Sequence, residues 1–406
     1  MKITKKIVAV LLAVLFVVGV FAGCSAASKD NGDTDKAVNA DFKVGFICLH
    51  DENSTYDKNF IDAAKEACAN LGLKDEQVII KTGIGEDEAC LNAALDLVDQ
   101  GCDFIFADSF GHESYMIEAA KSNPEVQFSH ATGTRAHTEN LPNYHNAFAS
   151  IYEGRYLAGV AAGLKLNEMI EKNEITAEQA KIGYVGAFPY AEVKSGYTSF
   201  FLGARSVCPT ATMEVKFTNS WYDEALEKEA ANTLINNKCV LISQHADSMG
   251  APTACEAAGV PDVSYNGSTK DACPNTFIVS SRINWVPYFE YAITAVMKGE
   301  AYDTDWTGTI ETNSVVLTEV NEAAAAAGTQ ATIDDVKAKL IAGEVHVFDT
   351  STFTVGGKTL DSYQADVDDM GDFVPETEVI KDGYFAESTF RSAPYFDIDI
   401  DGITLL

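Results

Sequence analysis

Side chains that can stack on a ligand or hydrogen-bond to it follow three short apolar runs in the middle of the chain. The runs are 181–187, 212–218 and 239–244. The side chains that follow them are Phe188, Glu192, Trp221, His245 and Asp247. The runs alternate with stretches that have helical spacing, which predicts a parallel sheet covered by helices. Ligands bind at the carboxyl edge of such a sheet, so these side chains form a candidate ligand site.

Two of these candidates have a second interpretation. His245 and Asp247 are residue types of a metal or acid–base site, but no third residue follows at a spacing typical of metal ligands. We therefore predict neither a metal site nor a catalytic residue. Glu192 is either a ligand contact or an acidic residue placed at a helix start, where the helix dipole stabilises it.

The first half of the chain repeats the pattern and supplies a second group of candidates. Apolar runs end near residues 49, 108 and 131. The candidates beside these ends are His50, Asp51, Tyr56, Asp108, Phe110 and Thr132. Other roles fit some positions equally well: Asp51 and Asp57 as helix-start carboxylates, Ser109 as a cap, and Thr132-Gly133 as a turn. We expect the two groups to face each other across one cleft.

The alternation of strands and helices predicts an α/β fold with two doubly wound lobes. Helices are expected at 59–71, 86–99, 113–122, 146–165, 284–298, 320–327 and 333–342. Late strands are expected around 348–355, followed by a hairpin turn at Gly356-Gly357.

Several long motifs resemble one family, the basic membrane lipoprotein family of ABC transporter substrate-binding proteins. The motifs are GYVGAFPYAEV (183–193), the run LGARSV to NTLI (202–235), QHADS (244–248), HATGTR (130–135), IYEGRYLAGVAAG (151–163) and INWVPYF (283–289). The resemblance covers nearly all of the chain after its leader. It implies a type I periplasmic-binding-protein fold with three hinge crossings, and its best-understood members bind purine bases or nucleosides.

The resemblance also implies how the chain is divided. The crossings are expected near 147–152, 283–287 and 312–316. Lobe 1 then comprises 42–150 and 284–313, and lobe 2 with the hinge comprises 151–283 and 314–406. In the family an aromatic side chain of the first loop packs on the base, and Tyr56 matches it best. The implied partners are a purine base or nucleoside and the permease and ATPase subunits of an importer, for a monomer without a cofactor.

One departure from the family concerns the sugar. Nucleoside-binding members hold the ribose with an aspartate after the next strand and a lysine further on. Asn266 stands where that aspartate is expected, and Asn284 or Trp285 stands near the lysine. The loss of this carboxylate favours a free purine base, such as adenine, over its nucleoside.

The start of the chain has the pattern of an exported lipoprotein. It contains, in order, Lys2, Lys5, Lys6, the apolar run 7–22, Gly23 and Cys24. This pattern predicts a signal peptide at 1–23, because the apolar run is short for a membrane span. Phe21-Ala-Gly-Cys24 resembles a lipobox, so we expect Cys24 to be lipidated and the chain to be anchored outside the cytoplasm. Residues 24–41 are then a flexible tether. A plain signal peptide is the alternative.

Composition narrows the function further. The 406 residues include 29 Lys and Arg against 60 Asp and Glu, for a net charge of −31. This charge opposes nucleic-acid binding and favours a neutral ligand. Because the chain contains no Walker, GxSxG or HExxH motif, we predict that it is not an enzyme. A ligand-sensing surface lipoprotein without a transporter and a nucleoside hydrolase are the two alternatives.

Eight cysteines besides Cys24 are scattered without close spacing. They are Cys48, Cys68, Cys90, Cys102, Cys208, Cys239, Cys255 and Cys273. Several occupy apolar positions of predicted strands or helices, so we interpret them as buried thiols. Export leaves disulfides open, and Cys255 with Cys273 is the pair to test first.

Overall fold

The computed structural model describes residues 39–367 and 374–406, and the predicted leader, Cys24 and most of the tether lie outside them. The first elements are β1 (Val44–Ile47), α1 (Thr55–Asn70), β2 (Val78–Lys81), α2 (Glu88–Asp99), β3 (Phe104–Ala107), α3 (Glu113–Ser122), β4 (Gln127–Ala131), α4 (Ala136–Glu139), β5 (Tyr144–Ala149) and α5 (Ile151–Glu171). Next come β6 (Lys181–Gly186), α6 (Ala191–Val207), β7 (Thr212–Phe217), α7 (Glu224–Asn236), β8 (Leu241–His245), α8 (Gly250–Ala258), β9 (Asp262–Tyr265) and β10 (Phe277–Ile283). The last elements are α9 (Val286–Lys298), β11 (Asp305–Gly308), β12 (Val315–Leu317), α10 (Thr329–Ile341), β13 (Gln364–Ala365), β14 (Thr377–Glu378), β15 (Ile380–Lys381), β16 (Tyr384–Phe385) and β17 (Ile403–Leu405).

Two large sheets organise these elements. The first sheet has the order β11-β5-β4-β3-β1-β2, and all its strand pairs are parallel. The second sheet has the order β12-β10-β9-β8-β6-β7-β17, in which only β12 is antiparallel to its neighbour. Helices connect most of the successive parallel strands, whereas β9 is joined to β10 by the loop 266–276. The predicted α/β fold is therefore confirmed.

The chain passes between the two sheets three times. It leaves the first sheet after β5 and enters the second at β6 through α5; it returns from β10 to β11 through α9 and leaves again from β11 to β12. Helix α9 packs on the first sheet, where the ring centroid of Phe289 lies 5.1 Å from that of Phe46. The ring of Trp285, just before α9, stacks on Phe60 at 4.6 Å. Trp285 is thus a core residue.

The predicted helix 146–165 is wrong in its first part. Residues 144–149 form β5, which pairs with β4 on one side and with β11 on the other, and all six of its residues are buried. Pairing on both sides satisfies the backbone of this segment in a sheet, so the helix begins only at Ile151.

Two predictions near the carboxyl terminus are also wrong. Residues 320–327 form turns, because the Asn321 side chain donates to the Pro274 and Phe277 carbonyls and fixes the segment against β10. Residues 348–355 contain isolated bridges instead of strands. The turn at Gly356-Gly357 is confirmed, since both glycines have positive φ.

The interpretation of the cysteines as buried thiols is confirmed. All eight cysteines in the described ranges are buried and free, so Cys255 and Cys273 are not bridged. None of the helices in the same ranges is long and apolar enough to cross a membrane.

Helices α5 and α6 approach each other at backbone distance. A Cβ added at Gly159 would lie 2.0 Å from the Phe200 carbonyl oxygen, and one at Gly203 would lie 2.0 Å from the Tyr156 carbonyl oxygen. Real Cβ atoms do not approach a carbonyl oxygen this closely. The two glycines therefore allow α5, which follows the first crossing, to lie directly against α6.

We expect Gly159→Ala to lower the free energy of unfolding by about 1–3 kcal/mol, because the new methyl group must push α6 away. Urea unfolding followed by circular dichroism measures this change. Gly85→Ala is the control, since its Cβ would make only ordinary contacts. Equal stability of both variants would contradict the close approach of α5 and α6.

Candidate functional site

The carboxyl ends of strands from both sheets surround one cavity with about 360 Å³ of space not occupied by atoms. The lining residues are Leu49, His50, Tyr56, Asp57, Ser109, Phe110, Thr132, Glu192, Trp221, His245, Asp247 and Tyr265. Because they come from the loops after β1, β3, β4, β6, β7 and β8 and from the end of β9, the cavity lies where the parallel topology predicts a site.

Most of the predicted site residues meet at this cavity. The predicted residues that line it are His50, Tyr56, Phe110, Thr132, Glu192, Trp221, His245 and Asp247. Four other predicted residues do not line it: Asp51, Asp108, Phe188 and Asn266. Residues that lie far apart in the sequence are thus brought to one place by the two sheets.

The four remaining candidates have identifiable positions. Asp51 is exposed and accepts hydrogen bonds from the backbone and side chain of Asn53. Asp108 is fully buried beneath the cavity. Phe188 packs against Trp221, with ring centroids 5.1 Å apart and ring planes inclined at 64°. Asn266 donates from its side-chain amide to the Asp247 carboxylate at 3.1 Å, so it positions that carboxylate.

Sequence reasoning missed Leu49 and Tyr265 as parts of the wall. Tyr265 is the last residue of β9, and its ring centroid lies 4.4 Å from that of His245. Its position at a strand end, directly before the predicted Asn266, was the available signal. Leu49 carries no comparable signal, because an apolar residue after a buried strand is indistinguishable from core.

Aromatic side chains form walls on both sides of the cavity. Tyr56 belongs to α1, and its hydroxyl donates to the Asp108 carbonyl at 2.7 Å. Phe110 is 43% exposed and lies 5.6 Å, centroid to centroid, from Tyr190 of the opposite side. Trp221 is held by its carbonyl, which accepts the Asp247 N–H at 3.0 Å. The cavity therefore offers flat apolar surfaces from both sheets.

Contacts between loops of the two sheets close the cavity. The Asp247 carbonyl accepts from the Thr55 backbone N–H at 3.1 Å and from its hydroxyl at 3.2 Å. The ring of His50 lies 5.2 Å from the ring of Tyr222. These contacts join the start of α1 to the loops after β7 and β8, so the described conformation is a closed one.

The start of α1 explains how Asp57 comes to the site. Ser54 is the N-cap residue and accepts the Asp57 N–H, while the Asp57 carboxylate accepts from the Ser54 hydroxyl and the His50 N–H at 2.6 and 2.7 Å. Burial raises the pKa of Asp57, but the hydrogen bonds from His50 and Ser54 outweigh it and the pKa is lowered. Asp57 therefore has both of the roles considered for it, helix start and cavity wall.

On the side of the second sheet, the pKa of Asp247 is shifted in the opposite direction to that of Asp57, and the pKa of His245 is shifted as well. Burial, with the nearby carboxylates Glu227, Asp57 and Glu192, raises the pKa of Asp247 well above its ordinary value. Burial lowers the pKa of His245, whose Nε2 lies 3.4 Å from Glu192. Within the described ranges no lysine or arginine lines the cavity. The site thus presents hydrogen-bond acceptors and a neutral imidazole without a cation.

The geometry gives no support to a hydrolytic or metal-dependent role for His245 and Asp247. His245 contacts Glu192 and Tyr265, whereas Asp247 contacts Asn266 and Thr55. The two side chains are not hydrogen-bonded to each other in the described structure, and their partners are different residues.

Comparison with known proteins gives one family. The family model described as "ABC transporter substrate-binding protein PnrA-like" matches residues 45–351. A purine-binding protein of Brucella abortus is 32% identical over 63% of this chain and 69% of its own length. A protein of Haloferax volcanii, provisionally named as an ABC transporter glucose-binding protein, is 35% identical over 53% of this chain. That match spans 52% of the Haloferax protein, so the chain covers about half of that relative.

Solved structures agree on the fold. A solute-binding protein of an ABC transporter from Aeropyrum pernix K1 has a TM-score of 0.62 at 16% identity and covers 76% of this chain and 93% of its own. A second one, from Conexibacter woesei, has a TM-score of 0.59 at 20% identity and covers 75% of this chain and 98% of its own. These neighbours confirm the predicted type I periplasmic-binding-protein fold.

We expect Asp247→Asn to change how stability depends on pH. A carboxyl whose pKa is raised in the folded state binds more protons there, so it makes the free energy of unfolding fall as pH rises above the ordinary pKa of 3.8. The variant should lose this contribution, whose slope is at most about 1.4 kcal/mol per pH unit. Urea unfolding between about pH 4 and about pH 8, the range above the ordinary carboxyl pKa, measures the difference from the parent chain. Exposed Asp51→Asn should leave the profile unchanged, and an unchanged profile in both variants would contradict the burial of Asp247.

Proposed function

The chain belongs to the PnrA-like family of ABC transporter substrate-binding proteins, and from this premise we propose that it captures a purine base or nucleoside. In this proposal it is an extracytoplasmic lipoprotein that binds the ligand between two lobes and delivers it to an ABC importer. The observation that carries the proposal is the closed cavity lined by aromatic rings and carboxylates from both sheets. The family is a binding family, which fits a protein without catalytic activity.

The aromatic walls suit a flat heteroaromatic ligand. Stacking of a base on an aromatic side chain contributes about 1–3 kcal/mol per face. Tyr56 and Phe110 from one side and Trp221 and Tyr265 from the other provide such faces. Rings on opposite lobes would share this stacking energy only when the cleft is closed, which couples binding to closure.

The polar groups suit a ligand rich in N–H donors. Purines carry ring N–H groups and, in adenine, an exocyclic amine, which carboxylates accept. Asp57, Glu192 and Asp247 supply acceptors around the cavity. A phosphate group would meet these carboxylates without a compensating cation, so nucleotides are expected to bind poorly.

Closure of the cleft is the step by which ligand binding would change the surface that the protein presents to a transporter. The ligand shifts the population towards the closed form by its differential affinity for the two forms. The three chain passages between the sheets are the natural hinges. The proposal takes lobe 1 as 42–150 with 284–313 and lobe 2 as 151–283 with 314–406. The closed surface would then be presented to a permease pair and its ATPase.

Trp221→Ala should weaken binding of adenine by more than tenfold, because one stacking face is lost at about 1–3 kcal/mol. Isothermal calorimetry measures the affinity, and thermal unfolding shows whether the variant stays folded. Tyr291→Ala removes an exposed aromatic ring that does not line the cavity, so it should bind as the parent does. Unchanged affinity for Trp221→Ala would show that the ligand binds elsewhere.

The second test concerns the identity of the ligand. We expect adenine to bind at least tenfold more tightly than adenosine, because Asn266 is engaged with Asp247 and supplies no carboxylate for the ribose. Calorimetric titrations with adenine, adenosine and glucose on the same preparation decide the matter. Tighter binding of adenosine would overturn the preference for a free base. Binding of glucose alone would overturn the purine proposal and favour the function in the name of the Haloferax relative.

Anchoring and transport can be tested separately. Cys24 is the proposed lipidation site, so labelled palmitate should be incorporated into the parent chain and absent from Cys24→Ser, which should leave the membrane fraction. Purine uptake by cells lacking the protein distinguishes an importer component from a ligand-sensing lipoprotein. Incubation with adenosine followed by chromatography would reveal free base if the protein were a nucleoside hydrolase.

A further inference from the structure

A buried cluster of ligating side chains lies beneath the cavity, and the proposed function does not use it. The Cys48 sulfur and one carboxylate oxygen each of Asp57 and Asp108 lie within 4.8 Å of one another. All three residues are at most 1% exposed. They belong to three separate elements: Cys48 follows β1, Asp57 lies in the first turn of α1, and Asp108 follows β3. The backbone therefore fixes the three donors independently.

The hydrogen bonds of the cluster leave acceptor atoms without donors. One oxygen of Asp108 accepts the Leu49 N–H at 3.1 Å, whereas its other oxygen, Oδ2, is buried and has no hydrogen-bond donor. A buried acceptor without a partner is costly. Within residues 39–367 and 374–406, neither Asp57 nor Asp108 forms an ion pair with a lysine or arginine. The compensation is confined to Asp57, which accepts from the Ser54 hydroxyl and the His50 N–H and lies 3.4 Å from the His50 imidazole.

His112 strengthens this conclusion. Its Nε2 lies 3.0 Å from the Ile84 carbonyl, which can only accept, so Nε2 carries the proton and Nδ1 carries a lone pair. That Nδ1 is buried, has no partner, and lies 4.0 Å from the nearer oxygen of Asp108. This nearer oxygen is Oδ1, which already accepts the Leu49 N–H, so the atoms without a donor in this region are Nδ1 of His112 and Oδ2 of Asp108. A cation beside Asp108 would supply a partner for such atoms.

We propose that Cys48, Asp57 and Asp108 bind one Zn²⁺ ion. A thiolate selects Zn²⁺ over Mg²⁺ and Ca²⁺, which prefer oxygen donors alone. Both Asp57 oxygens already accept hydrogen bonds, but each carboxylate oxygen has a second lone pair free for the metal. Three protein donors leave a fourth position for water, and His112 lies next to the ligating Asp108, where it can accept from that water.

The position of the cluster shows what the ion would do. Asp57 lines the cavity, so the ion can enter when the cleft is open. Once bound, it would join the loop that carries His50, the helix turn that carries Tyr56 and the loop that carries Phe110. These three residues form the wall on the side of the first sheet. The ion would therefore hold that wall in place before any ligand binds, whatever the ligand is.

The test uses the full chain, purified in detergent without a metal-binding tag and stripped with a chelator. Titration with ZnCl₂, followed by elemental analysis after desalting, should give one Zn²⁺ per chain and a raised thermal midpoint. Co²⁺ in place of Zn²⁺ should give a sulfur-to-cobalt charge-transfer band. Cys48→Ser and Asp108→Asn should bind Zn²⁺ at least about 100-fold more weakly, as expected for loss of a ligand, and Cys48→Ser should lose the band.

Cys68→Ser is the matched control, because Cys68 is equally buried in α1 and lies outside the cluster. It should bind Zn²⁺ as the parent does, and circular dichroism should show that every variant is folded. Absence of saturable Zn²⁺ binding by the folded parent would overturn the proposal. So would an infrared carboxylic-acid band in the Zn²⁺-treated parent that disappears in Asp108→Asn, because the cluster would then hold a proton. Purine binding is not part of the readout, so failure here is separate from failure of the proposed function.

Discussion

The burial of several carboxyl groups around one closed cavity, without a lysine or arginine in its wall, constrains the rest of this structure. Desolvation of an ionised carboxylate is costly unless hydrogen bonds or a counter-charge compensate it. Asp57 is compensated by donors at the start of α1, whereas Asp247 receives only the amide of Asn266 and its pKa is raised. Closure without a ligand therefore leaves acceptors unpaired. In the proposed function, a donor-rich ligand would remove that penalty and so couple closure to binding.

The second sheet has a buried cation behind the wall, which, in the described part of the chain, contacts carbonyls and hydroxyls of the sheet and not the cavity carboxylates. Arg155, in the first turns of α5, is fully buried and donates to the carbonyls of Gln244 and Ser264 and to the hydroxyls of Tyr184 and Ser243. Its guanidinium lies 5.1 Å from the centroid of the Tyr265 ring, which belongs to the cavity wall. The arginine thus joins the ends of β8 and β9 to the helix that follows the first crossing. The wall residue Tyr265 is therefore in direct contact with a side chain of that helix.

Sequence reasoning placed Trp221 and His245 together, as they are at the cavity, because parallel strands bring their carboxyl ends to one edge. It failed where the secondary structure of a segment depends on the strands that pair with it. The run 144–149 contains residues compatible with a helix, and only pairing on both sides makes it β5. Asp108 was likewise predicted to contact the ligand, because it directly follows β3 at the carboxyl edge of the sheet. The direction of its side chain, towards Leu49 and His112 beneath the floor, depends on packing that a single sequence does not encode locally.

The carboxyl-terminal segment beyond residue 351, which the family model does not match, adds a constraint on opening. Strand β17 extends the second sheet beside β7, so the end of the segment is fixed there. Before it, the Ser392 N–H donates to the Asp305 carboxylate of β11, a strand of the first sheet, at 2.8 Å. The same carboxylate lies 3.1 Å from Nε2 of His137. One continuous segment is therefore attached to both sheets. Asp305 is the first residue of β11, at the end opposite the crossing from β11 to β12, so any separation of the two sheets has to break the bond between Ser392 and Asp305 or carry the segment along with the first sheet.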